Sequence, residues 1–217
     1  MADFNQLFDQ WAESYDNTVF GTDNEYKEVF ENYNGILNSI CKYIDDKRHG
    51  ITLEIGIGTG NLTGLLAQRG HHVIGIEPST EMRKLATGKL TRVTVLDGHF
   101  LDVPIYNKVD SIVTSYAFHH LTLEEKEKAL IYLDGLLNEG GKIVIADTMF
   151  SSLQYKKDLY KQVEQDGAVN LLNDLNTEYY ELLDDVTELY EKIGYTYKVE
   201  QMNKYVWTIL AQKGGKE

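Results

Sequence analysis

The stretch "LEIGIGTGNLT" (residues 53–63) places Gly56, Gly58 and Gly60 within five positions, behind Glu54 and an apolar run. Glycine costs stability inside regular structure, so this concentration implies that something must come close to the backbone. Spacing removes two common phosphate-binding loops. G-x-G-x-x-G fails because Asn61 or Thr63 stands where its third glycine belongs, and no Gly-Lys-Ser/Thr follows for G-x-x-x-x-G-K-[ST]. What stands here is E-x-G-x-G-x-G. Glu77 ends the next apolar run, 17 residues after Gly60. A carboxylate at that point accepts hydrogen bonds from ribose hydroxyls, and its charge disfavours a 2′-phosphate. Together the glycines and Glu77 predict an adenosine-like ligand across the carboxyl ends of two strands.

The elements that must hold these residues are legible as punctuation. Apolar runs at 51–57, 72–77, 92–96, 109–115 and 141–147 alternate with helical patterns. Their lack of polar alternation suits parallel strands buried on both faces. "NLTGLLAQRG" reads as a helix stopped by Gly70. Pro78, Ser79, Thr80 and Glu81 open another, and Thr122 with Glu125 forms a capping box for a third that ends at Gly140–Gly141. Strand and helix repeated in this way predict a doubly wound α/β sheet. "YTYKVEQ" and "KYVWTILAQ" alternate closely enough for a terminal antiparallel hairpin turning at "MNK". Residues 1–217 read as a single domain, with helical flanks at 4–46 and 151–193. The flanks, 1–46 as an N-terminal lid and 151–193 as a cover, are what remains to enclose the crevice. Their aromatic content predicts a partly apolar pocket for a small molecule.

Composition narrows the partners. With 217 residues and a net charge of −13, the surface repels nucleic-acid phosphates and anionic membranes, so neither is expected as a partner. No apolar run approaches a membrane span, and the beginning shows no secretory signal. The lone Cys41 cannot form an internal disulfide. A cytoplasmic location is expected. No set of metal ligands is read from the sequence.

"LEIGIGTGNLT", "GIEPSTEMRKLA" and "VDSIVTSYAFHHL", with "WAESYD" near the start and "LYEKIGY" before the last hairpin, resemble the class I S-adenosylmethionine-dependent methyltransferases. Within them the chain resembles the branch of quinone-biosynthesis methyltransferases, and most of all the uncharacterised YrrT-type methyltransferases. The resemblance covers most of the chain. It implies a Rossmann-like, seven-stranded sheet with an antiparallel last strand, and S-adenosylmethionine as cofactor. It assigns Gly56, Gly58 and Gly60 to the approach of the cofactor's methionine and ribose, and Glu77 to the ribose hydroxyls. Asp97 matches the acidic position beside the adenine; Asp97-Gly98 is also a turn signal. Ser115 and Tyr116 fall where the transferable methyl should lie. Tyr15 matches an aromatic that folds over the cofactor in relatives, or is ordinary helix packing.

The implied reaction needs alignment of nucleophile, methyl and sulfur more than it needs a catalytic side chain. A base enters only where the acceptor must lose a proton. His119 or His120 could supply it, or the pair could simply pack the turn; Asp147 could bind a substrate cation or cap a helix. The acceptor is expected to be a small molecule. Two other readings stay open at this point: a nicotinamide-dependent oxidoreductase, disfavoured by the missing third glycine, and a non-catalytic module that binds the cofactor.

Overall fold

The computed structural model describes Ala12, residues 15–21 and residues 25–214. Residues 1–11 of the expected lid, and with them Trp11 of "WAESYD", lie outside the described residues, as do Glu13 and Ser14.

Strands β1 (Ile51–Ile55), β2 (His72–Ile76), β3 (Thr94–Leu96), β4 (Val109–Ser115) and β5 (Leu137–Thr148) pair in parallel. Strand β7 (Val206–Gln212) runs antiparallel to both β5 and β6 (Thr196–Gln201). The sheet order is β3-β2-β1-β4-β5-β7-β6, the doubly wound, seven-stranded arrangement with a terminal hairpin that the sequence implies. Because β1 sits between β2 and β4, winding reverses there, and the crevice at the carboxyl ends of these strands is where such sheets bind ligands.

Helices α1 (Tyr33–Tyr43), α2 (Asn61–Gln68), α5 (Leu153–Gln165) and α6 (Val169–Thr177) pack on one face of the sheet; α4 (Leu123–Leu136) and α7 (Leu183–Lys192) pack on the other. Helix α3 (Thr80–Lys89) follows β2 and starts at Ser79, whose hydroxyl accepts the Met82 N–H. The two-residue period of β5 divides its side chains between two cores: Ile143 and Ile145 join α4 and α7, whereas Val144 and Ala146 join α1 and α5. Each fully buried Ile or Leu contributes about 1.5–3 kcal/mol. The capping box of α4 forms as expected, and Gly70, at φ 88°, ends the turn after α2. Among the described residues no helix is long and apolar enough to cross a membrane.

Strands β1 and β3 are shorter than the runs 51–57 and 92–96, and two boundaries differ more widely from the sequence reading. The flank expected to be helical over 4–46 is broken by turns at 25–32, and α1 begins only after Asn32 in the left-handed region at φ 60°. Asparagine tolerates that conformation, and the turns aim Tyr26, Val29 and Phe30 inward. Helix α4 stops at Leu136 rather than at Gly140–Gly141, because the fully buried Leu137 already pairs with Val109 of β4. The extra residues form an irregularity before Lys142 takes up register with Ser111.

Candidate active site

A cavity of about 980 Å³, open to solvent, lies at the carboxyl ends of β1, β2 and β4. Gly56 and Gly58, Glu77, Ser115 and Tyr116 line it, together with Ile57, Met82, Phe100, Tyr15, Tyr33 and His120. The glycines have φ values of 71° (Gly56), 53° (Gly58) and 86° (Gly60), all left-handed. Their surroundings differ. A Cβ at Gly56 would lie 2.5 Å from the Cβ of Ala117, whereas one at Gly58 would meet no atom within 4 Å. Gly58 therefore opens on the cavity. Gly60 does not line it and instead begins α2 against the Leu90 side chain.

Glu77 is 4% exposed, and its carboxylate accepts the N–H of Gly58 at 2.8 Å and that of Ser79 at 2.9 Å. The buried acid is thus tied to the glycine turn itself. One strand over, Glu54 accepts the Thr63 hydroxyl at 2.7 Å, and burial pushes its carboxyl up to about 8. Asp97 is elsewhere: its side chain is 73% exposed, pairs with Arg83 at 3.0 Å and does not line the cavity. Arg83 in turn donates to the Glu77 and Pro78 carbonyls, so Asp97 braces the end of β2 from outside.

The amino-terminal segment reaches the same place. Residues 15–20 are helical, and Asp16 accepts from the Thr59 hydroxyl at 2.6 Å and the Asn61 amide at 3.2 Å, and pairs with Lys89. Burial acts to raise the Asp16 carboxyl, but the hydrogen bonds from Lys89, Thr59 and Asn61 outweigh it and hold the group below its ordinary value. This latch sets Tyr15 on the cavity wall. Tyr116 caps β4 at φ 51°, an uncommon conformation for a bulky residue, with its ring 5.2 Å from Phe30 and 5.7 Å from Tyr33. Burial raises the phenols of Tyr15, Tyr33 and Tyr116, so all three remain neutral donors near pH 7.

Tyr15, Tyr116 and His120 also line a second, adjoining cavity that is likewise open to solvent. Its other walls include Tyr26, Phe30, His119, Asp174, Glu178 and Tyr180. His119 belongs to this chamber and not to the first cavity. The Asp147 carboxylate accepts the His119 backbone N–H at 3.0 Å and lies 2.6 Å from Nδ1 of its ring. Burial alone would depress the imidazole; the charge and hydrogen bond of Asp147 prevail and raise it. His120 meets Glu178 at 2.9 Å, and burial and then the adjacent His119 lower its imidazole. Tyr26 donates to Asp174 at 2.5 Å. Residues between Tyr26 and Phe30 and between Leu171 and Tyr180 thus supply much of the chamber's wall. The Asp16 latch, Tyr33, Asp174 and Glu178 are absent from the sequence reading, and only the acidity and tyrosine content of 151–193 hinted at the last two.

A sheet of this order, with its acidic-glycine turn at β1 and a buried carboxylate ending β2, has the Rossmann-like methyltransferase fold. Magnesium protoporphyrin IX methyltransferase from Synechocystis PCC 6803 with bound SAM shares it at a TM-score of 0.69 and 14% identity, over 97% of each chain. Residues 53–145 match the methyltransferase domain family. Over 215 residues the chain is 61% identical to an uncharacterized methyltransferase of Alkaliphilus oremlandii, covering 99% of this chain and 100% of the relative. It is 42% identical to the uncharacterized methyltransferase YrrT of Halobacillus halophilus over 213 residues, 98% of each. The chain belongs to this YrrT-type methyltransferase family.

Proposed function

We propose that the protein methylates a small molecule held in the tyrosine-lined chamber, with S-adenosylmethionine bound in the adjoining cavity as donor. The observation that carries this reading is the junction of the two cavities at Tyr15, Tyr116 and His120. A donor in one and an acceptor in the other would meet there.

The residues of the first cavity suit the donor. Gly58 lacks the Cβ that would intrude, and Glu77 offers a buried carboxylate for ribose hydroxyls in place of the Gly58 N–H. Ile57, Met82 and Phe100 give apolar faces for a flat base. Asp97 would have to exchange its Arg83 pairing for the adenine amine, so its assigned role rests on the resemblance alone. The donor, when bound, brings a methyl already activated by a sulfonium. The chain's contribution is then to orient the acceptor, with Tyr15, Tyr116 and His120 at the junction as the side chains placed to do so.

Calorimetric titration with S-adenosylmethionine and S-adenosylhomocysteine tests the donor. Micromolar binding is expected, falling at least tenfold in Glu77→Ala. Absence of binding, or binding indifferent to Glu77, refutes the assignment. Thermal protection by NAD and not by S-adenosylhomocysteine would favour the oxidoreductase reading instead.

A further inference from the structure

The chamber holds a cluster whose composition differs from everything else around it. His119 and His120 follow one another after β4, and Glu178 arrives from the end of α6; one ligating atom of each lies within 4.8 Å of the other two. We propose that His119, His120 and Glu178 bind a first-row divalent cation, zinc or a near neighbour, leaving a coordination position open to the chamber.

Two imidazoles and a glutamate, with a free position, are a donor set used by catalytic zinc. The geometry supports that use. Asp147, with a side chain only 3% exposed, holds the His119 ring through Nδ1 and fixes the backbone through the His119 N–H. The ring is thereby oriented with Nε2 as the nitrogen to offer, the arrangement by which a carboxylate positions a metal-ligating histidine. Nδ1 of His120 and a Glu178 oxygen are 2.9 Å apart. Two ligands about 2.05 Å from one ion, at tetrahedral or octahedral angles, are separated by about 2.9–3.4 Å, so a cation can join this pair with little movement. The side chains are 11% (His119), 19% (His120) and 8% (Glu178) exposed, sheltered but facing a cavity.

Charge favours the same occupant. Asp174 and Glu178 both line the chamber, and no lysine or arginine is among its described lining residues. Lys126, which approaches His119 from another side, donates to the Leu121 and Tyr179 carbonyls and lies 3.6 Å from Glu181. It lines a separate space of about 200 Å³ with His119 and Asp147.

The site defines a class of acceptor. A molecule carrying a thiol, hydroxyl or carboxylate can complete the coordination sphere, and a cation there lowers the pKa of such a group. Because His120 lines both cavities, the coordinated end would lie toward the donor. Cation binding itself stands independently of the donor assignment; its role toward an acceptor rests on that assignment.

The test uses untagged, chelator-treated full-length protein, dialysed without donor against micromolar Zn²⁺ or Mn²⁺, with bound metal counted by elemental mass spectrometry. One equivalent per chain is expected, lost in Glu178→Gln and His120→Ala, with affinity reduced about 10–100-fold in Asp147→Asn. Far-UV circular dichroism and thermal unfolding establish that each variant is folded, and Glu178→Gln keeps the side-chain shape. Failure to retain metal, or retention undiminished in Glu178→Gln and His120→Ala, overturns the proposal. Protein that binds S-adenosylhomocysteine but no metal refutes the cation site alone; protein that binds metal but no S-adenosylhomocysteine refutes the donor assignment alone.

Discussion

Consider Gly58→Ala. Gly58 sits at φ 53°, where an alanine is disfavoured by about 1–2 kcal/mol. The loss of freedom in the unfolded chain offsets about 0.4–1 kcal/mol of that. No atom lies within 4 Å of the new Cβ, so packing adds nothing, and the net cost should be about 1 kcal/mol. For a domain of this size that is a fall in Tm of about 2–4 °C. The empty space is the first cavity, proposed above to hold the donor, and the methyl would stand beside the N–H that meets Glu77. Affinity for S-adenosylhomocysteine should therefore drop at least tenfold, about 1.4 kcal/mol, well beyond what the stability change explains. Gly56→Ala is the comparison. Its φ of 71° carries a similar backbone cost, but its Cβ would lie 2.5 Å from that of Ala117. Relieving that overlap costs about 1–3 kcal/mol more, for a total of about 2–4 kcal/mol. Urea denaturation reads stability, and titration calorimetry of the folded proteins reads affinity. Wild-type affinity in Gly58→Ala, or equal destabilisation by the two substitutions, would refute the reasoning.

Two further outcomes are expected. Glu54 has a folded value of about 8, raised by burial, so between about pH 4.5 and 8 the folded state keeps a proton that the unfolded state releases. Its contribution is complete below the unfolded value and is lost as pH rises through the folded one, with a slope of at most about 1.4 kcal/mol per pH unit. Glu54→Gln should flatten that part of the profile in urea unfolding from pH 5 to 8; an unchanged slope would show that Glu54 is ionised in the fold. Asp16→Ala removes the contacts to Thr59, Asn61 and Lys89. It should speed amide exchange over residues 15–20 and weaken S-adenosylhomocysteine binding about tenfold, about 1.4 kcal/mol, while global unfolding moves little. Exchange as slow as in the wild type would remove the latch.

What was legible in the sequence follows from how locally each feature is encoded. The strands announce themselves because β1, β2, β4 and β5 are largely buried runs rich in Ile, Val and Leu, and the α4 capping box is written within four residues. Gly56, Gly58 and Glu77 meet because a strand-turn-helix and the next strand end must adjoin in a doubly wound sheet. The end of α4 was misplaced because the pairing of Leu137 with Val109 is a tertiary event, invisible beside the glycines that follow. The helical reading of 25–32 missed turns stabilised by packing rather than by propensity. The chamber was harder still. Glu178 stands 58 residues after His120, and Asp16 stands 43 residues before Thr59, so no spacing rule links them. Asp97 matches a motif by position while its side chain belongs to Arg83.

The stitching of the chamber's roof has a consequence for the order of assembly. Asn203, in the turn between β6 and β7, donates to the carbonyls of Val29 and Glu31, the first of them 174 residues away. Glu25 accepts the N–H groups of Asn170 and Leu171 in the first turn of α6. By the logarithmic dependence of loop closure on length, a contact across 174 residues costs about 2 kcal/mol more to close than one spanning 19 residues, which favours its forming later. The glycine turn and Glu77 are only 19 residues apart and can come together early. The glycine turn with Glu77 thus belongs to the portion of the chain that can organise first, and the wall of the second cavity around Val29 to the portion that must wait for the β6–β7 hairpin.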